Sequence, residues 1–144
     1  MFDRSLLKDM LEKHEGYERM PYVDTVGKIT IGVGWNLTDN GLPDEIILEL
    51  LEIGIDRAVK LLDDRIPWWR QLDDARQLVL VDMAYNMGNR LFTFVNTLAA
   101  VKRGDYVGAA YGMRSSKWAK QVGKRAEHLA KIMEKGSVVR GGEA

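Results

Sequence analysis

The sequence of 144 residues predicts an α+β fold, in which a small lobe with a β-hairpin is joined to a mainly helical lobe. Residues 21–34 alternate and carry β-branched side chains around Val26-Gly27, which is typical of a hairpin. Residues 44–64 carry one continuous helical pattern of apolar residues, and the chain beyond residue 73 is patterned as helix. We expect one domain over residues 1–144, with a small lobe at about 15–43, a linking helix at about 44–64, and a helical lobe from about 1–14 and 65–144.

The first helix is predicted over residues 5–14, where apolar side chains recur at the spacing of one helix face: Leu6, Leu7, Met10 and Leu11. Gly16 is suited to ending this helix. Glu15 therefore lies at or just past a helix C-terminus, immediately before the predicted hairpin. Residues 35–41, which follow the hairpin, are predicted to form a polar loop.

The linking helix begins after Pro43, which suits a first helical turn, and the carboxylates of Asp44 and Glu45 complement the helix dipole. A helix of roughly 20 residues spans about 30 Å, enough to join two lobes. Gly54 in its middle weakens it by about 1 kcal/mol relative to alanine. Either a bend or a close contact with another helix would explain that glycine.

The remaining elements are predicted to be helices separated by short breaks. Pro67-Trp68-Trp69 ends the long pattern, and Asp73 or Asp74 caps a helix that runs through Met87. That helix is apolar on nearly all sides, at Leu78, Val79, Met83, Ala84 and Met87, so we expect it to be central and buried. Further helices are predicted near 92–103, at 105–113 with Asp105 as cap, and near 124–135, ended by Gly136; the tail 137–144 is expected to fray.

Composition excludes several classes of protein. The chain has no cysteine and therefore no disulfide framework, and it has no run of about 18 apolar residues that would span a membrane. Residues 1–10 are charged throughout, so no signal peptide is expected. The net charge is zero, but residues 1–72 carry −5 and residues 73–144 carry +5. The eight bases within 114–140 indicate either contact with an anionic polymer or a solvated helix face.

Two carboxylates and a hydroxyl are the candidate chemical groups. Glu15 follows the first helix, Asp24 comes nine residues later at the hairpin, and Thr30 follows after six more. Hydrolysis of a glycosidic bond requires one carboxyl group that donates a proton and another that acts as a base. To donate a proton near neutral pH, Glu15 would need a partly buried environment. Taken alone, Asp24 is also an ordinary turn residue, and Thr30 an ordinary strand residue.

The pattern E-G-x5-Y-x-D-x2-G-x2-T-I-G-x-G, which runs from Glu15 to Gly34, resembles the phage-type lysozymes of glycoside hydrolase family 24. Asn86-Met87-Gly88 and Ser116-Lys117-Trp118 resemble later segments of that family, so the resemblance covers most of the chain. It implies a lysozyme-like fold. It also implies that Glu15 is the general acid, and that Asp24 and Thr30 hold the attacking water, which entails inversion at the sugar.

The resemblance also suggests residues that contact the substrate. Arg125 is expected to reach Glu15, Asn86 matches a polar residue that lines the cleft in relatives, and Gln121 lies in the segment that flanks it. Trp118 matches a buried family tryptophan, and we expect Trp68, Trp69 and Trp118 to pack rather than to stack on sugars. One departure is Trp35, at a position where relatives often have histidine. A polar interaction of the small lobe is therefore expected to be absent or replaced.

The resemblance implies a muramidase that cleaves the β-1,4 bond between N-acetylmuramic acid and N-acetylglucosamine in peptidoglycan. The alternatives are a lytic transglycosylase, which needs only one acid, a non-catalytic protein that binds the cell wall, and a helical DNA-binding protein. Asp24 and Thr30, which would position water, disfavour the transglycosylase. The complete set of Glu15, Asp24 and Thr30 disfavours a non-catalytic protein. The hairpin motif would have no role in a DNA-binding protein.

As an endolysin, the protein would be a monomer that resides in the host cytoplasm before lysis and reaches the wall through a separate holin-type pore. No nucleic acid or cofactor is expected. No metal is expected either, because His14 has no second histidine nearby, His128 is distant in the sequence and the chain has no cysteine.

Overall fold

The computed structural model describes residues 1–138 and is a mainly helical α+β protein with a small antiparallel sheet, as predicted. The chain divides into two compact units, one comprising Met1–Leu50 and the other beginning at Leu51. The candidate acid, base and hydroxyl belong to the first unit. Asn86, Gln121 and Arg125 belong to the second.

Helix α1, Arg4–Glu15, opens the first unit close to its predicted bounds. The Asp3 side chain caps its N-terminus by accepting the backbone N–H groups of Ser5 and Leu6. Gly16 ends it with φ 85°, and its N–H bonds the Glu12 carbonyl at 2.8 Å. No residue of α1 is buried, and its apolar stripe of Leu6, Leu7, Met10 and Leu11 is exposed.

The sheet follows in the order β1-β2-β3, with antiparallel neighbours and the following strands: Glu18–Val23, Ile29–Gly32 and Trp35–Asn36. Tyr22 pairs with Thr30, and Thr30 pairs with Asn36, so Thr30 lies on the central strand. The predicted hairpin is confirmed.

The prediction of a polar loop over 35–41 is wrong. Residues Trp35–Asn36 form β3, and Leu37–Asn40 form a short helix, α2. The Asn36 side chain stabilises α2 by accepting the Asp39 N–H at 3.0 Å. The Trp35 indole donates to the Gly41 carbonyl at 2.7 Å, which gives this lobe a polar contact at the position where relatives often have histidine.

Helix α3, Asp44–Arg65, has the predicted bounds within one residue, and the division between the units falls inside it, after Leu50. A Cβ added at Gly54 would overlap the Tyr85 ring, so a close contact with another helix accounts for this glycine. Gly54 and Tyr85 both lie in the second unit.

The second unit consists of short helices, in chain order a 3₁₀ helix at Pro67–Gln71, α4 at Asp74–Met87, a 3₁₀ helix at Gly88–Thr93, α5 at Val95–Lys102, α6 at Tyr106–Arg114, α7 at Lys117–Val122 and α8 at Lys124–Lys135. The Asp73 and Asp105 caps and the Gly136 end are confirmed. The helix predicted near 92–103 is interrupted at Phe94, and α7 was not predicted. Residues 139–144 of the tail lie outside the described residues.

Helix α4 is central to the core of this unit, as predicted. Val79, Leu80 and Met83 are almost fully buried. Leu78 is 57% exposed, so the helix is not buried on all sides as expected. The three buried residues share a core cluster with buried residues of other helices, including Leu62, Val101, Met113 and Met133. This packing fixes the backbone of α4 relative to α8, which carries Arg125.

Candidate active site

Asp24 follows β1 directly and organises the hairpin loop. Its Oδ1 accepts the backbone N–H groups of Val26 at 3.0 Å and of Lys28 at 2.8 Å. Its own N–H and carbonyl bond Lys28 and Gly27, which closes the turn. Within residues 1–138, no hydrogen bond reaches the second carboxylate oxygen, Oδ2. One oxygen is thus committed to the turn, while the other remains able to accept a proton from water.

Thr30 is the one buried polar residue of the described chain, at 4% exposure. A buried hydroxyl group requires a hydrogen bond, and Oγ1 donates to the Lys28 carbonyl at 3.1 Å. The same carbonyl accepts the Asp24 N–H at 2.9 Å. Asp24 and Thr30 are therefore tied to one loop by a shared peptide group, and the hydroxyl oxygen still has lone pairs that can accept from water.

Glu15, the last residue of α1, contacts the turn that follows β2. A Cβ added at Gly34 would lie 2.5 Å from Glu15 Oε2, so the carboxyl group occupies the space that a side chain would take. Gly34 has φ +68°. Glu15 is exposed, and the expectation of a partly buried acid is therefore wrong, since Glu15 ends a helix that has no buried residue.

Asn86 lies on α4 and binds the indole of a buried tryptophan. Its Oδ1 accepts Trp118 Nε1 at 2.8 Å, and Trp118 also packs edge-to-face on Phe94. The prediction that Trp118 is a packing residue is confirmed. Trp69 is also buried, and Trp68 packs against the core.

Arg125 lies near the start of α8 and is bound by Asp82, a residue that sequence reasoning missed. Asp82 Oδ1 is 2.9 Å from Nε and 2.7 Å from Nη2, and its backbone carbonyl is 3.4 Å from Nη2. One signal was present in the sequence, because Asp82 is a lone carboxylate in the apolar run of residues 78–84. The predicted approach of Arg125 to Glu15 stays a prediction, and Gln121 is exposed on α7.

Both members of this ion pair line an apolar concavity of about 480 Å³ in the second unit. Most of its other lining residues are aliphatic, among them Leu51, Ile55, Leu78 and Leu129. The two charged side chains are 39% and 42% exposed, so water still screens their attraction.

Three of the eight bases within 114–140 form a row on α8 together with His128. Lys124, His128, Lys131 and Lys135 recur at the spacing of a single helix face, and all are exposed. The acids of α8, Glu127 and Glu134, instead bind Arg114 of α6 at 2.9 and 3.4 Å. Within residues 1–138, five bases of this segment make no salt bridge: Lys117, Lys120, Lys124, Lys131 and Lys135. Arg140 lies outside the described residues.

As for membrane association, none of the helices in residues 1–138 has the length and apolar character needed to cross a bilayer.

Comparison with known proteins identifies the family. A sequence profile described as "Phage lysozyme" matches residues 12–134. Two proteins of Dictyostelium discoideum, "Probable T4-type lysozyme 2" and "Probable T4-type lysozyme 1", are 27% and 26% identical, each match covering 93% of this chain and 96% of the relative. The "Pre-baseplate central spike protein Gp5" of Enterobacteria phage T4 is 27% identical over 92% of this chain and 28% of its own length.

The matched span contains Glu15, Asp24 and Thr30, together with Asn86, Gln121 and Arg125. It also includes the sheet and the last turn of α1. The chain therefore belongs to the phage lysozyme family and is a glycoside hydrolase, a muramidase that acts on peptidoglycan.

Proposed function

We propose that the enzyme hydrolyses the β-1,4 bond between N-acetylmuramic acid and N-acetylglucosamine with inversion at the sugar. In this mechanism Glu15 protonates the bridging oxygen, and Asp24 accepts a proton from a water molecule that Thr30 helps to orient. Protonation makes the leaving group stable, while the base makes water a stronger nucleophile.

The arrangement of hydrogen bonds around Asp24 supports its role most directly. Two backbone N–H groups hold Oδ1, so the carboxylate has one orientation and Oδ2 carries no bond within the described chain. A fixed carboxylate with one available oxygen is suited to accept a proton from water. Thr30 is tied to the same Lys28 carbonyl and would contribute an acceptor for that water.

The exposure of Glu15 is compatible with its role if substrate completes the environment. A bound sugar polymer would exclude water from the carboxyl group and bring the bridging oxygen next to it. Arg125 and Gln121 are proposed to contact the substrate. Asn86 is a weaker candidate for such contact, because Trp118 occupies its Oδ1.

For the biological role, we propose an endolysin that lyses the host cell from within, acts as a monomer and depends on a holin-type pore. The similarity to a central spike protein of a phage baseplate makes a particle-associated role the second candidate. Detection of the protein in purified particles would favour that second role. Its presence only in the lysing host would favour the first.

The chemical proposal is tested with Glu15→Gln, and Glu12→Gln serves as the matched control on the same helix. The amide cannot deliver a proton, so hydrolysis of purified peptidoglycan should fall by about 10²–10⁴-fold, whereas the control should stay near wild type. Circular dichroism would establish that both variants are folded. Near-wild-type turnover by a folded Glu15→Gln variant would remove Glu15 from the mechanism.

Product analysis distinguishes hydrolysis from transglycosylation. Mass spectrometry should find muropeptides with reducing-end N-acetylmuramic acid, and anhydro-muropeptides would instead identify a lytic transglycosylase. Proton NMR of freshly released products should show the α-anomer first, because inversion of a β bond gives α. Initial formation of the β-anomer would exclude inversion.

A further inference from the structure

Arg125 occupies a position where a cation is intrinsically disfavoured. It is the second residue of α8, where the helix dipole presents its positive end, and Lys124 lies next to it. The side chain nevertheless takes a defined orientation, because Asp82 Oδ1 lies within 2.9 Å of two guanidinium nitrogens. The positive charge of Arg125 destabilises the start of α8, yet Asp82 of α4 holds it there. The position of Arg125 therefore serves something other than the stability of α8.

The segment that carries Arg125 is held by α4 at two points. Asp82 and Asn86 are four residues apart and therefore lie on one face of α4. Asp82 binds Arg125 at the start of α8, while Asn86 binds Trp118 of α7 at 2.8 Å. Together they hold the elements on either side of the turn at Gly123, which has φ +59°.

Of these two contacts, only the one at Asp82 has both partners partly exposed. The side chains of Asp82 and Arg125 are 42% and 39% exposed, whereas Trp118 is buried. The Asn86 contact therefore fixes the backbone, and the Asp82 contact fixes the orientation of a guanidinium that still meets solvent. Asp82 accepts from Nε and Nη2 of the guanidinium. Within residues 1–138, Nη1 donates no hydrogen bond, so it is available to another acceptor.

We propose that Asp82 is a positioning residue, which holds the Arg125 guanidinium in one orientation so that its remaining N–H groups meet an acceptor on the glycan substrate. This inference rests on the proposed role of Arg125 in substrate contact. A free arginine side chain samples many rotamers, and pre-ordering it lowers the entropic cost of binding. Asp82 itself does not touch the substrate in this scheme.

The test compares Asp82→Ala, Arg125→Ala and the double variant in kcat and KM on solubilised peptidoglycan strands. Glu127→Gln is the matched control, because it breaks another partly exposed ion pair of α8, at 2.9 Å, without touching Arg125. Asp82→Ala should raise KM about tenfold with little change in kcat, since ordering one arginine costs about that much in binding. In the Arg125→Ala background it should have no further effect, and Asp82→Glu should restore part of the loss.

The outcomes separate the inference from the function on which it rests. If Arg125→Ala keeps the wild-type KM, the substrate role of Arg125 fails, and the positioning role fails with it. If Arg125→Ala is impaired but Asp82→Ala behaves like Glu127→Gln, only the positioning inference is overturned. An additive effect in the double variant would also overturn it. Should Asp82→Ala not fold, the near-isosteric Asp82→Leu, which has no acceptor for the guanidinium and suits the aliphatic surroundings of Asp82, supplies the same comparison.

Discussion

Replacing Gly34 with alanine tests the contact between the candidate acid and the turn after β2. Gly32 provides the control, because the two glycines have nearly equal φ angles, +67° and +68°. A Cβ at Gly32 meets nothing within 4 Å, whereas one at Gly34 would lie 2.5 Å from Glu15 Oε2. The two alanine variants therefore share backbone strain and differ in whether the new methyl group displaces Glu15.

The expected losses of stability and activity follow from the backbone strain and from the displacement of Glu15. Left-handed backbone at a residue with a side chain costs about 1–2 kcal/mol, so both variants should lose a similar amount of stability. In Gly34→Ala the carboxylate oxygen must also retreat from 2.5 Å to ordinary contact at 3.4 Å or beyond. A displacement of about 1 Å in a catalytic group can reduce the rate about 10²-fold. Gly34→Ala should therefore lose about 10²-fold more activity than Gly32→Ala.

Two assays are needed, thermal unfolding for stability and release of muropeptides from purified peptidoglycan for activity. A loss of 1 kcal/mol corresponds to about 4 °C in melting temperature at this chain length. Activity is compared well below both melting points. If the variants lose equal activity, the contact with Gly34 does not position Glu15, and the reasoning is refuted.

Three further predictions concern the packing at Gly54, the ion pair of Glu127 and the basic face of α8. Gly54→Ala should destabilise the wild-type protein, because the new Cβ overlaps the Tyr85 ring. In a Tyr85→Ala background the same substitution should raise the free energy of unfolding in urea by about 1 kcal/mol. Lost activity in that stabilised double variant would indicate that Gly54 acts as a hinge. Arg114 lowers the pKa of Glu127 below its usual 4.5, chiefly by hydrogen bonding, so this stability is present above pH 4.5 and lost as pH falls. Glu127→Gln should then be less stable than wild type at pH 7, by about 0.2–1 kcal/mol, and equal to it near pH 2. If α8 contacts anionic wall polymers, glutamine at Lys124, Lys131 and Lys135 should weaken the salt dependence of wall lysis, whereas glutamine at Lys8, Lys13 and Lys102 should not.

Local sequence patterns were sufficient to predict helices and strands whose ends are marked by residues close to them in the sequence. Asp73, Asp105 and Gly136 mark helix ends through hydrogen bonds that span only a few residues, and each was found in its predicted role. The hairpin was equally predictable, because alternation and a turn residue such as Asp24 are both local. Helix α7 has only six residues, too few for a periodic pattern to emerge.

Contacts between residues that are distant in the sequence could not be predicted from local patterns. Asp82 and Arg125 are 43 residues apart, and Asn86 and Trp118 are 32 apart, so no local spacing relates them. The same limit explains Gly54, for which a bend and a close contact gave the same sequence signal until Tyr85 was located. The polar residues of an apolar helix are the useful signal in such cases, because a carboxylate or amide there requires a partner.

Asp24 has an observed structural role and a proposed catalytic one, and a single substitution can separate them. Its Oδ1 stabilises the hairpin loop through the N–H groups of Val26 and Lys28, and its charge is the proposed base. Alanine would remove both the loop contacts and the charge, so an inactive Asp24→Ala variant would not distinguish a lost base from a distorted hairpin. Asparagine keeps an oxygen acceptor for the same two N–H groups and removes only the charge. Loss of activity in a folded Asp24→Asn variant would therefore belong to the chemistry, because the hydrogen bonds that shape the loop remain available.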